Sequence, residues 1–310
     1  MKSALEQTGA GGAGEARPVA GALPLPAEVA ANQFAMVLRK LADELTYGVD
    51  ASRFVGSGID YAQSRAYSLG DTVKSIDWRV TARAGAVFVK QYEATKRSGL
   101  YLLIDVSNSM RASSVALSKC DCAVWAAGTL GLVGLRQRSP VAIVPCSDAF
   151  AGSMEPTLAR GRLWAQLEAL RAAAASAAVG RTTLCERMEQ LQATAPHVAN
   201  VVVVSDMHQP GAAMGVKRLA QRHDVTVLHL QDPAERGNLG AGFVLAQQAE
   251  SEDGLIVTSR GALVPDDPEL KSLPGAGVRY AVISTDGSGR GVIPAMRRVF
   301  GQRNFARGIR

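Results

Sequence analysis

The feature that most constrains the fold is a series of short apolar runs that alternate with helix-like segments after Gly99. The first run, 99–105, is continuously apolar and ends in a carboxylate, Asp105. Another run, 200–205, is followed by a second carboxylate, Asp206. Buried strands that alternate with helices are typical of a parallel sheet covered on both faces. The sequence therefore predicts an α/β fold with a doubly wound, mainly parallel sheet.

Apolar periodicity predicts the other elements of this sheet domain. Helices are predicted at 115–136, 158–175, 184–193, 212–222 and 293–300, and further strands at 141–145, 225–230 and 279–284. Upstream, apolar residues recur at intervals of three and four over 26–45. That spacing predicts an amphipathic helix docked on a core.

Composition divides the chain into four predicted segments. Residues 1–27, rich in Ala, Gly and Pro, are interpreted as a flexible arm, and 28–98 as a helix followed by a strand-and-loop elaboration. Residues 99–285 form the predicted sheet domain. Residues 286–310 form a basic segment with no acidic residue after Asp286. A solvated terminus and a contact with an acidic partner are alternative interpretations of this segment.

Composition also excludes several classes of protein. The chain is 47% hydrophobic and 20% charged, which excludes disorder throughout. No apolar run predicts a membrane span, and the N-terminus lacks the apolar core of a secretory signal, so we expect a cytoplasmic protein with no membrane partner. Four irregularly spaced cysteines predict neither a disulfide framework nor a zinc site. A net charge of +6 without interleaved aromatic residues disfavours nucleic acid as a partner.

Three polar stretches are predicted to lie at the carboxyl edge of the sheet, where open parallel sheets bind ligands. They are Asp105-Val106-Ser107-Asn108-Ser109, Gly180-Arg181-Thr182-Thr183 and Ser205-Asp206. Together they offer only hydroxyl and carboxylate oxygens, which suit a hard cation such as Mg²⁺. An Asx turn or a helix cap is the alternative explanation of the first stretch alone.

These stretches resemble the metal-ion-dependent adhesion site of von Willebrand factor A domains, which have a Rossmann-like fold. The resemblance implies that Ser107 and Ser109 bind the metal directly and that Thr182 binds it directly or through water. It also implies that Asp105 and Asp206 act largely through waters. The metal is expected to be Mg²⁺, with Mn²⁺ and Ca²⁺ as alternatives.

The second of the three stretches departs from the adhesion-site pattern. Arg181 replaces the small residue that usually precedes the threonine, and its fixed charge can repel a cation or hold an incoming carboxylate. Thr183 is adjacent to Thr182, so the choice of Thr182 as ligand follows the family pattern.

Several further motifs occur in a fixed order along the chain. They are Arg65-x-Tyr67-x-x-Gly70-Asp71, Ile76-Asp77-Trp78, Thr81-Ala82-Arg83 and, downstream, Asp232-Pro233-x-Glu235. In this order, over roughly residues 48–258, they resemble a bacterial family called domain of unknown function fifty-eight. We expect Trp78 to bury its ring against the sheet. Arg65, Asp77 and Arg83 are expected to form a charge network that holds the elaboration to the main domain, or alternatively a surface for a partner.

The resemblance implies a non-enzymatic adaptor that binds an acidic side chain of another protein through its metal. It further implies that this partner is a MoxR-type AAA+ ATPase and that the pair assembles or remodels protein complexes. This chain has no G-x-x-x-x-G-K-[ST] phosphate loop, so ATPase activity would come from the partner.

A metal-dependent phosphohydrolase is the alternative function, because aspartyl-phosphate enzymes also place an acid beside Mg²⁺ at a strand end. It is disfavoured because Ser107 stands where a second carboxylate is needed, and because no lysine is obviously placed to stabilise a phosphoryl group. Adhesion outside the cell is a third candidate, disfavoured by the absence of a secretion signal.

Overall fold

The computed structural model of the chain describes residues 23–46, 60–93, 98–150, 152–176, 180–195, 197–236, 243–247, 254–258, 267–285 and 291–301. Within these ranges the helices are α1 (Ala31–Thr46), α2 (Trp78–Ala84), α3 (Asn108–Arg111), α4 (Lys119–Arg136), α5 (Arg160–Ala175), α6 (Leu184–Thr194), α7 (Ala212–Ala220), α8 (Pro268–Lys271) and α9 (Val292–Gly301). The strands are β1 (Asp60–Ala66), β2 (Phe88–Glu93), β3 (Leu100–Asp105), β4 (Val141–Cys146), β5 (Asn200–Ser205), β6 (Asp224–Gln231), β7 (Phe243–Gln247), β8 (Gly254–Thr258) and β9 (Arg279–Ser284).

The main sheet contains five parallel strands in the order β4-β3-β5-β6-β9. Every residue of β3 and of β4 is buried, which explains their continuously apolar sequences. Successive side chains of β3 alternate between two cores: Leu102 packs with α1, α4, α5 and α9, whereas Leu103 packs with α6 and α7. Helices therefore cover both faces of the sheet, and the predicted doubly wound, Rossmann-like α/β fold is confirmed.

The order of the strands reverses between β3 and β5. From β3 the chain continues to β4 on one side, and it then returns to β5 on the other side of β3 before adding β6 and β9. Ligand-binding crevices of open parallel sheets lie outside the carboxyl ends of the strands at such a switch point. Asp105 is the last residue of β3 and Asp206 directly follows β5, so the fold places both carboxylates there.

Helix α1 packs on the face of the sheet that α4 covers. The rings of Phe34 and Trp125 have centroids 5.0 Å apart, and the guanidinium carbon of Arg171 lies 5.4 Å from the centroid of Phe34. Helix α4 carries a glycine at the contact, Gly128, where an added Cβ would lie 2.6 Å from Leu38 Cδ2. The absent side chain thus lets the two helices approach closely, and the predicted docking of an amphipathic helix is confirmed.

The elaboration contains β1 and β2, which pair antiparallel, and the short helix α2. None of the seven residues of α2 is buried, and the side chain of Trp78 is 67% exposed. The prediction that Trp78 buries its ring against the sheet is therefore wrong. Because α2 has no buried face, an aromatic residue at its start has no core to enter.

Arg65 and Asp77 have partners other than those of the predicted network. Both terminal nitrogens of Arg65 donate to the carboxylate of Asp71, at 2.8 and 2.6 Å. Asp77 accepts the hydroxyl of Ser64 at 2.8 Å and two backbone N–H groups at the start of α2. Arg83 lies on α2 and is exposed. The network of Arg65, Asp77 and Arg83 was expected to hold the elaboration to the main domain. Arg65 and Asp77 instead make these contacts within the elaboration, while a partner surface stays a prediction.

The four-segment division also stays a prediction. The first 22 residues of the expected arm, and the basic segment apart from 291–301, lie outside the described residues. Among the helices that the structure does describe, none combines the length and the apolar character needed to cross a membrane.

The packing of α1 on α4 predicts a clear difference between two substitutions on the same helix. Leu38→Ala removes a fully buried side chain and should lower the free energy of unfolding by about 2–5 kcal/mol, measured by urea denaturation. Met36→Ala, on an exposed face of α1, should change it by less than about 0.5 kcal/mol. Equal effects of the two substitutions would contradict the docked position of α1.

Candidate functional site

Asp105 is the centre of the site at the β3–β5 switch point, and its side chain is 1% exposed. Its Oδ1 accepts the backbone N–H of Ser107 at 3.0 Å. Its Oδ2 accepts the hydroxyl of Ser205 at 2.7 Å and the hydroxyl of Thr182 at 3.2 Å. The structure thus brings all three of the polar stretches singled out in the sequence to one carboxylate.

The serines of the first stretch lie beside this carboxylate. Ser107 is fully buried and Ser109 is 8% exposed, and their hydroxyl oxygens are 3.2 Å apart. Ser109 lies in the first turn of α3, because the chain turns into this helix directly after β3. Between them, Asn108 exchanges hydrogen bonds with the backbone of Gly180, at 3.2 and 3.3 Å. The first and second stretches are therefore tied together.

The second stretch approaches the loop after β4 so closely that only glycine fits at its start. A Cβ added to Gly180 would overlap the hydroxyl of Ser147 and lie 3.0 Å from Ala149 Cβ. The next residue is also held by its backbone, since Arg181 N–H donates to Asp148 Oδ1 at 2.8 Å, while the Arg181 side chain is exposed. The backbone of the two residues that precede Thr182 is thus held in place.

The two adjacent threonines have different surroundings. Thr182 is 8% exposed and donates its hydroxyl to Asp105. The hydroxyl oxygen of Thr183 is buried and has no hydrogen-bond partner among the described residues. Of the pair, Thr182 is therefore the one that contacts the central carboxylate, while its role as a metal ligand stays a prediction.

Lys119 is the residue that the sequence analysis missed. Its side chain is 1% exposed, and its ammonium group donates to Asp206 Oδ2 at 2.9 Å and forms an ion pair with Glu235. Nδ1 of His208 lies 3.3 Å from the same Asp206 oxygen. The sequence did contain a signal for this residue, because Lys119 lies within the apolar stretch 115–135. A lysine in such a stretch is expected to be paired, since a lysine is almost never fully buried otherwise.

The Asp232-Pro233-x-Glu235 motif links β6 to this cluster. Asp232 Oδ2 accepts the backbone N–H of Ser114 at 2.9 Å and the hydroxyl of Ser113 at 3.1 Å. Glu235 Oε2 accepts the backbone N–H of Asp232 at 3.0 Å, which leaves Oε1 for Lys119. The motif therefore holds both the loop before α4 and the first residue of α4.

The charges of the site are strongly interdependent. Burial and the negative charge of Asp206 raise the pKa of Asp105 to about 6. Burial alone would raise the pKa of Asp206, but the hydrogen bond from His208 and the positive charge of Lys119 hold it well below its usual range. Burial likewise opposes the charge on Lys119, yet Asp206 and Glu235 raise its pKa. Asp206 and Lys119 are thus both charged at neutral pH.

The side chains of Asp206, His208 and Glu235 have potential metal-ligating atoms within 4.8 Å of one another. The ammonium group of Lys119 is already bound to two of these three residues. The ammonium group therefore balances one of the two carboxylate charges of this group, whereas the hydrogen-bond donors to Asp105 are neutral.

Together, the fold and the site define a Rossmann-like α/β protein with a buried acid-and-hydroxyl site at its switch point. The family described as "Protein of unknown function DUF58" matches residues 63–265, about two thirds of the chain, so the chain belongs to this family. Uncharacterized protein Rv1480 of Mycobacterium tuberculosis and uncharacterized protein Mb1516 of Mycobacterium bovis are similar to it. Each is 24% identical over 217 residues, covering 70% of this chain and 68% of the relative.

The close approach at Gly180 predicts a specific loss of stability. Gly180→Ala should lower the free energy of unfolding by about 1–3 kcal/mol, because the new methyl group overlaps Ser147. Gly161→Ala is the matched control: nothing lies within 4 Å of its Cβ, and in helix α5 alanine should be neutral or stabilising. Urea denaturation of the two variants checks this, and an unchanged Gly180→Ala variant would contradict the observed loop.

Proposed function

We propose that this chain is a von Willebrand factor A-like, non-enzymatic adaptor. In this proposal its site binds a divalent cation and, through it, an acidic side chain of a partner protein. The observation that carries the proposal is the convergence of hydroxyls from two separate segments, Thr182 and Ser205, on the buried carboxylate of Asp105, with Ser107 bound to the same carboxylate.

The residues around Asp105 fit a hard cation by their chemistry. The hydroxyls of Ser107 and Ser109 would bind it directly, Thr182 directly or through water, and Asp105 and Asp206 through waters. All these donors are oxygens, which favours Mg²⁺, with Mn²⁺ or Ca²⁺ as alternatives. When bound, the cation would supply a positive charge, and neutral hydroxyl ligands would not cancel that charge.

A carboxylate from another protein is the natural complement of that remaining charge. The exposed guanidinium of Arg181, next to Thr182 in the chain, is available to hold the same carboxylate. Family resemblance supports a MoxR-type AAA+ ATPase as the partner and the assembly or remodelling of protein complexes as the shared task. In the elaboration, Arg83 is exposed and is a further candidate for the partner surface.

Partner binding should depend on the metal and on the first stretch of the site. Asp105→Ala and Ser107→Ala should abolish Mg²⁺-dependent capture of a purified MoxR-type ATPase while circular dichroism shows an intact fold. Ser153→Ala, at an exposed serine outside the site, is the control and should leave capture unchanged. Undiminished capture by either site variant would count against the adaptor.

The affinity for the cation should depend on pH through Asp105. Its raised pKa of about 6 means that a proton occupies the carboxylate at lower pH and must be displaced by the cation. Mn²⁺ affinity, measured by electron paramagnetic resonance, should therefore fall about tenfold per pH unit well below pH 6 and level off above it. Burial lowers the pKa of His208, but the hydrogen bond to Asp206 and the charge of Asp206 raise it overall, so the variant His208→Gln is needed to isolate the Asp105 slope. A flat profile in that variant would contradict the role of Asp105.

One observation favours the alternative, a metal-dependent phosphohydrolase. The structure places a buried lysine, Lys119, beside Asp206, although the sequence had offered no obvious cation for a phosphoryl group. Ser107 nevertheless stands where such enzymes need a second carboxylate as acid and base. Steady Mg²⁺-dependent turnover of p-nitrophenyl phosphate that is lost in Asp105→Asn would support the hydrolase over the adaptor.

A further inference from the structure

We infer that Lys119 is a built-in counter-ion of the site, which holds the site together in the absence of a metal and keeps its affinity for a divalent cation low. This inference rests on the proposed binding of a cation beside Asp105. It assigns a role in regulating that binding to Lys119, together with its partner Glu235.

The ammonium group is enclosed and held by two carboxylates, Asp206 directly after β5 and Glu235 in the turn that follows β6. Its side chain is 1% exposed, like that of Asp206, and Glu235 is 16% exposed. Removing a charge from water to this degree is strongly unfavourable unless the charge is paired. The charged side chain of Lys119 can therefore be buried because both carboxylates pair with it.

The start of helix α4 is an unfavourable place for a positive charge. Lys119 is the first residue of the helix, directly after Ser118, whose hydroxyl accepts the N–H of Asp121 at 3.0 Å in a capping box. A positive side chain is disfavoured in the first turn of a helix, because the helix dipole is positive there. The sequence thus places a lysine where the helix itself opposes it, and the carboxylates of Asp206 and Glu235 compensate.

Lys119 balances the mutual repulsion of the two strand-end carboxylates. Asp105 and Asp206 are both buried, and the charge of Asp206 disfavours the charged form of Asp105. The ammonium group neutralises Asp206 permanently, so the site can remain folded without a metal. The same fixed charge repels a divalent cation that enters the site, because electrostatic interactions are weakly screened in a buried environment.

Low affinity has a consequence for the adaptor. When the chain alone holds the cation weakly, a partner's carboxylate that adds a negative charge to the site increases the affinity for the cation most. Cation and partner would then bind cooperatively, since each increases the affinity of the other by the same factor. Glu235 reduces the repulsion between Lys119 and the cation, because its carboxylate offsets part of the charge of Lys119.

Two substitutions test the inference, because they change the local charge in opposite directions and should therefore change the affinity for Mn²⁺ in opposite directions. Lys119→Gln removes the repelling charge and should tighten Mn²⁺ binding at least tenfold, measured by electron paramagnetic resonance at pH 7.5. Glu235→Gln leaves the charge of Lys119 less compensated and should weaken binding at least threefold. Arg136→Gln removes a positive charge from the other end of α4, where Arg136 pairs with Asp43 at the surface, and should change nothing. A purely structural role of the ion pair would weaken binding in both site variants.

Thermal unfolding provides the second readout. Without metal, Lys119→Gln should unfold at a lower temperature than the wild type, since Asp206 and Glu235 lose their counter-ion. Millimolar Mg²⁺ should raise the unfolding temperature of this variant by more than it raises that of the wild type. If the variant does not fold even with Mg²⁺, Glu235→Gln decides: binding as tight as in the wild type overturns the inference.

The outcomes separate this inference from the proposed function. If the wild type binds Mn²⁺ and Lys119→Gln binds it no tighter, the counter-ion role is overturned and the cation site stands. If Lys119→Gln alone binds Mn²⁺ detectably, the counter-ion role is supported in its strongest form. If neither protein binds Mn²⁺, both the cation site and the role of Lys119 are overturned.

Discussion

The burial of two carboxylates at the ends of neighbouring parallel strands is the constraint on which the rest of the site depends. The strand order places Asp105 and Asp206 on either side of the β3–β5 switch point, each 1% exposed. Buried carboxylates must be hydrogen-bonded or paired. Asp105 is satisfied by neutral donors from three segments, whereas Asp206 is satisfied by the ammonium group of Lys119. Two acids with similar positions in the fold therefore have different charges around them.

The sheet and the convergence of the three polar stretches were predictable from sequence because their signals are local. Strands β3, β4 and β5 contain runs of buried apolar residues, and parallel strands bring their carboxyl ends to one edge, so Asp105 and Asp206 could be placed without knowledge of side-chain packing. The start of α4 was less predictable. The apolar pattern begins near residue 115, but the helix begins at Lys119, because Ser118 caps it and Asp232 holds Ser114 outside it.

Lys119 and Trp78 show why the remaining features were not predictable. Lys119 is 87 residues from Asp206 and 116 from Glu235 in the chain, so no local pattern identifies its partners. Its presence in an apolar stretch signalled a paired charge but not the place of the pair. Trp78 was expected to bury its ring against the sheet, yet a large apolar area favours burial only where a neighbouring surface can cover it. The short helix α2 has no such surface among the described residues.

A fixed ammonium group and an exchangeable cation differ in a way that matters for an adaptor. Lys119 cannot leave, since it is part of α4 and is held by Asp206 and Glu235. It can therefore maintain the geometry of the switch point at all times, but it cannot present a new charge when a partner arrives. The divalent cation proposed to bind on the hydroxyl side of Asp105 would do so, because neutral ligands leave its charge available. In the proposed adaptor, separating the permanent counter-ion on Asp206 from an exchangeable position near Ser107 and Thr182 would let one small site remain folded with and without the cation.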